Sequence, residues 1–130
     1  MKIFSILALF LTLNVQAATS HTDSCVSTAM DYRFSPQTAV ATCVNANMHT
    51  PGCVATAAQV RLTESDIAQA CSDTRMHTAP CLSEAAHEKM SSKSAAEVCR
   101  HAEMHTASCI STARHNGFTD DLIVQLCSEK

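Results

Sequence analysis

Tryptophan is absent from this chain, tyrosine occurs once, and aromatic residues make up only 4% of it. So few flat rings leave little on which to stack bases or sugars. They also leave a core of Ala, Val, Ile, Leu and Met with a few Phe, which must be thin. With 2 glycines there is no glycine-rich phosphate loop, and GxSxG, HExxH and CxxCH are missing as well. No block of five like charges occurs, and the formal net charge is −3. Such a surface has no electrostatic grip on a phosphate backbone, which speaks against nucleic acid as a partner. Nothing alternates with a two-residue period, so strands are not expected.

What the chain does have begins with an address. Lys2 precedes an apolar run from Ile3 to Val15, and Val15-Gln16-Ala17 places small residues where a signal peptidase reads. The run is too short to span a bilayer, which needs about 20 residues. Residues 1–17 are therefore expected to be a cleaved secretory signal rather than a buried N-terminal helix or a membrane span. The mature domain would cover residues 18–130 and reside in the periplasm or outside the cell. All eight cysteines fall in that part, and an even count in a small exported chain predicts a disulfide framework.

The cysteines stand at 25, 43, 53, 71, 81, 99, 109 and 127, so intervals of 18 and 10 alternate without exception. Four units align with a period of 28 and no gap: residues 21–48, 49–76, 77–104 and 105–130. A period of this size marks stacked supersecondary units. Each unit carries two helix starts. Thr22, Thr50, Thr78 and Thr106 are read as N-caps of the first helices, with Pro51 and Pro80 just inside two of them. Ser35, Thr63, Ser91 and Thr119 are read as N-caps of the second. Phe34, Leu62, Met90 and Phe118 precede these caps, and Ala39, Ile67, Ala95 and Ile123 follow four residues later, the spacing of a hydrophobic staple. Cys25, Val26 and Ala29 and their equivalents form one apolar stripe.

The expected fold is all-α, a short solenoid-like array of four helical hairpins with eight short helices. In architecture it is similar to the tetratricopeptide-type solenoids, although their unit is about 34 residues and their Trp/Gly/Tyr pattern is missing here. Within each hairpin the two cysteines are equidistant from the corner, which favours the pairs Cys25–Cys43, Cys53–Cys71, Cys81–Cys99 and Cys109–Cys127. The rival pairs 43–53, 71–81 and 99–109 are also symmetric about their turns, but strand Cys25 and Cys127. The last unit, two residues short and lacking the final Met, is expected to act as an end cap.

The repeated MHT at Met48-His49, Met76-His77 and Met104-His105 admits two readings. In the structural one, each His bonds the closing carbonyls of the preceding helix, and each Met fills the gap between hairpins. In the other, thioether and imidazole bind a soft ion, copper first among them. Copper-storage proteins also line helices with thiols, but the closely spaced cysteine pairs they use do not occur here. His87, His101 and His115 recur at 14-residue intervals, and His87 and His115, at equivalent positions of successive first helices, are expected to face solvent or a groove. No catalytic constellation emerges, so an enzyme is not expected. The leading function is an exported scaffold presenting a groove or ridge to a protein or peptide; the alternative is a periplasmic copper-binding protein.

Overall fold

A computed structural model describes residues 20–129; the leader predicted for residues 1–17 lies outside the described residues. Eight helices follow one another and, among the described residues, there is no strand. They are α1 (Ser20–Asp31), α2 (Pro36–Cys43), α3 (Thr50–Gln59), α4 (Glu64–Cys71), α5 (Thr78–His87), α6 (Ser92–Cys99), α7 (Thr106–His115) and α8 (Asp120–Cys127).

Local chemistry sets the corner inside each hairpin. Ser35, Thr63, Ser91 and Thr119 adopt extended backbone, and each side-chain oxygen accepts a hydrogen bond from the N–H three residues on, capping the even-numbered helix as expected. The preceding helix closes with a Schellman motif in all four units. The N–H of Phe34, Leu62, Met90 and Phe118 donates to the carbonyl of Ala29, Ala57, Ala85 and Ala113 at 2.9–3.1 Å. One residue earlier the backbone turns left-handed, at Arg33, Arg61, Lys89 and Gly117 with φ between 57° and 81°. Only Gly117 adopts this conformation freely; the other three pay a steric cost of about 1 kcal/mol each.

The turn between hairpins differs from expectation. Thr50, Thr78 and Thr106 are not N-caps. They are the first residues of their helices and are buried, and His49, His77 and His105 hold the cap position without any side-chain capping bond. Each threonine instead closes the turn backwards. Its N–H donates to the carbonyl of Asn47, Arg75 or Glu103 at 3.1 Å. Its hydroxyl accepts from that same residue's N–H at 2.9–3.0 Å. The physical reason is that a hydroxyl at this position can serve either the following helix or the preceding turn, and burial selects the turn. Thr22 lies within α1, which begins before it.

Hairpins stack so that odd helices pack on odd (α1 on α3, α3 on α5, α5 on α7) and even on even. The core between the layers consists of the cysteines, small Ala29, Ala57, Ala85 and Ala113, and single branched residues such as Val54, Leu82, Ile110, Ile67 and Ile123. All four disulfides lie within hairpins: Cys25–Cys43, Cys53–Cys71, Cys81–Cys99 and Cys109–Cys127, with Cα–Cα distances of 5.5–5.7 Å. Each closes a loop of 18 residues' separation, worth about 3 kcal/mol by the chain-entropy account.

A polar ladder ties each hairpin to the next. The first residue of an even helix reaches back to the cap of the preceding hairpin. Glu64 accepts from the Ser35 N–H (3.0 Å) and from the hydroxyls of Ser35 and Thr38. Ser92 Oγ accepts from the Thr63 N–H at 3.0 Å, and Asp120 from the Ser91 N–H at 2.9 Å. Pro36 holds the equivalent position in the first hairpin.

Candidate functional site

The turns between hairpins line up along one edge of the array, and they carry the residues that the sequence singled out. Met48, Met76 and Met104 are the central residues of these turns and are 70%, 62% and 67% exposed. They do not fill a gap between hairpins, as the structural reading had it. Ala46, Thr74 and Ala102, two residues before each Met, occupy the interior there. The result is a row of three thioethers at one repeat position, facing water.

His49, His77 and His105 stand beside them. Among the described residues their imidazoles enter no hydrogen bond or ion pair, so they do not bind the closing carbonyls of the preceding helix. Their contribution to the fold comes from the backbone: each His carbonyl accepts the first helical hydrogen bond, from Cys53, Cys81 or Cys109 at 3.0–3.1 Å. With no free cysteine, a soft ion at these turns would have thioether and imidazole ligands but no thiolate.

His87 and His115 are exposed, as expected, while His101 is half-buried with its Nδ1 at 3.8 Å from an Asp73 carboxylate oxygen. A grouping missed in the sequence is Glu84, His87 and Glu88 at the end of α5. Their ligand atoms lie within 4.8 Å of one another. The i, i+3, i+4 spacing was the signal for it.

Two carboxylates are tuned by the ladder. The Ser35 N–H and the Thr38 hydroxyl hold Glu64 below its ordinary pKa, outweighing burial. For Asp120, burial pushes upward, but the Ser91 N–H and the Arg114 guanidinium together prevail and lower it. Arg114 is pinned on several sides: it pairs with Asp120 and donates to the carbonyls of Glu88 and Phe118 at 3.1 and 2.9 Å. The Glu64 shift arises from contacts between hairpins, and the Asp120 shift from one such contact, to Ser91, together with Arg114 of its own hairpin.

The last unit was expected to act as an end cap, and nothing was expected of the first. The last hairpin is not a polar cap: Phe118, Leu122 and Leu126 are exposed on its outer side, beside a cavity of about 490 Å³ lined by Cys109, Thr112, Ala113, Phe118 and Leu126 among others. The first hairpin exposes Val26, Met30, Val40 and Val44. The sequence placed Val26 on the apolar stripe of its helix; no hairpin precedes the first among the described residues to cover it.

Comparison of the chain with protein-family models, curated proteins and solved structures finds no match. No helix among the described residues is long and apolar enough to cross a membrane. Four intramolecular disulfides fit an oxidising, extracellular-type environment.

Proposed function

We propose that this chain is an exported scaffold, periplasmic or secreted, that binds a protein or peptide partner along its turn edge and carries out no catalysis. The observation behind this reading is the methionine row. Three large apolar side chains recur at one position of successive hairpins and all face water, so the exposure is a repeated row rather than an isolated surface residue. Thioethers are polarizable and flexible, which suits adaptable contact with another protein. The disulfide-closed hairpins hold them at fixed intervals, so an extended segment could meet all three at once.

The test is affinity capture from the native extracellular or periplasmic fraction with the oxidised protein and with a Met48→Gln, Met76→Gln, Met104→Gln variant. A partner retained by the first and lost by the second, at equal melting temperature, is the expected result. Equal retention by both would refute the role of this edge.

A second reading draws on the same exposure: Met48-His49, Met76-His77 and Met104-His105 offer adjacent soft and borderline ligands suited to Cu(I). Titration against a colorimetric Cu(I) chelator separates the two readings. The scaffold reading expects no competition by the oxidised protein. Uptake that disappears in a His49→Gln, His77→Gln, His105→Gln variant would favour the metal.

A further inference from the structure

We propose that the two ends of the array are complementary halves of one junction, through which copies of this chain assemble head to tail. The junction between consecutive hairpins already exists three times inside the chain, always in the same register. Among the described residues, its two sides are left uncovered at the ends.

On the leading side, the Val26 position is filled by Val54, Leu82 and Ile110 in later hairpins, each 0% exposed because the preceding hairpin covers it. Val26 itself is 39% exposed. On the trailing side, Thr42, Ala70 and Val98 are 0–1% exposed beneath the following hairpin, while their equivalent Leu126 is 59% exposed.

The residues at the open ends also differ in kind from those inside. Leu122 and Leu126 replace Thr38 and Thr42, Asp66 and Ala70, or Ser94 and Val98. Met30 stands where the later hairpins have Ala58, Ala86 and Arg114, and Val40 where they have Ala68, Ala96 and Val124. A terminal repeat that faces water needs a polar outer surface; here Leu122 and Leu126 at one end and Met30 at the other are larger and more apolar than the residues at their positions inside. That change suits a junction without a covalent tether, which must offset the entropy of association that an internal junction does not meet. Pro36 carries no acceptor to continue the polar ladder, so apolar contact stands in for it. A heterologous junction of this kind does not close on itself unless rotation brings the ends together, so it builds chains or rings rather than a simple pair.

The test uses oxidised protein and two surface variants, Val40→Glu on the leading face and Leu126→Glu on the trailing face, followed by sedimentation velocity across a concentration series. Their melting curves check that both remain folded. Expected are wild-type masses that grow past the dimer with concentration, loss of association in each variant alone, and a one-to-one heterodimer and nothing larger when the variants are mixed. A wild type that stays monomeric at every concentration overturns the proposal. Self-association of Val40→Glu overturns it in favour of a trailing-face pair, and that of Leu126→Glu in favour of a leading-face pair. Failure of the mixture to pair overturns it too.

Discussion

Removing one interior bridge tests how this thin core persists. In a Cys81→Ala, Cys99→Ala variant the helices keep their caps and corners, and only the covalent link and two sulfurs are lost. Both cysteines are essentially inaccessible. Opening a loop of 18 residues' separation costs about 3 kcal/mol by the chain-entropy account. Deleting two sulfurs from a close-packed site adds a cavity term on the order of 1 kcal/mol. For a domain of about 100 residues each kcal/mol shifts the melting temperature by roughly 4 °C, so a fall of about 16 °C is expected. Circular dichroism with heat or urea, under non-reducing conditions, measures it. The matching Cys25→Ala, Cys43→Ala variant should behave differently. Its hairpin has a neighbour on one side only, so an early transition carrying one repeat's share of the signal precedes the main one. A loss below about 1 kcal/mol at the interior bridge would refute the claim that the disulfides supply much of the stability.

Four further outcomes follow from particular residues. Thr78→Val keeps shape but removes the hydroxyl that accepts from the Arg75 N–H; a loss of about 1–2 kcal/mol is expected by urea unfolding, with Thr78→Ser near wild type. Gly117→Ala meets no steric obstacle, yet it places a side chain on left-handed backbone, so a loss of about 1 kcal/mol is expected. Arg61→Gly relieves that strain while loosening the unfolded chain, and the two effects should cancel to within about 0.5 kcal/mol. Glu64 and Asp120 have lowered folded-state pKa values. Their contribution is present above the ordinary carboxylate range of about 4 and is lost as pH falls through the depressed values. Glu64→Gln with Asp120→Asn should flatten acid unfolding in that window; an unchanged profile would sever the ladder from stability.

The hairpin was legible because strict spacing constrains partners: cysteines equidistant from a corner can meet, and Ser or Thr before an apolar staple has one common use. The second turn was harder. A threonine beside a helix start reads as a cap, and only its burial shows that the hydroxyl of Thr50 faces back to Asn47. Left-handed corners were hidden because Arg33, Arg61 and Lys89 carry no signature of positive φ, unlike Gly117. The methionines misled for a different reason. A recurring apolar residue signals a shared environment but not which one, and Met48 recurs in water. The ends went unread because apolar position 26 has one meaning inside the array and another at its edge.

One feature of the bridges bears on how the molecule is made. Every bridge joins two cysteines consecutive in the chain, the first with the next to follow it, and none spans an intervening cysteine. A polypeptide emerging from a pore N-terminus first can thus seal each hairpin before the next thiol arrives. In a chain translocated this way, the order of arrival favours the bonded pairs over scrambled ones.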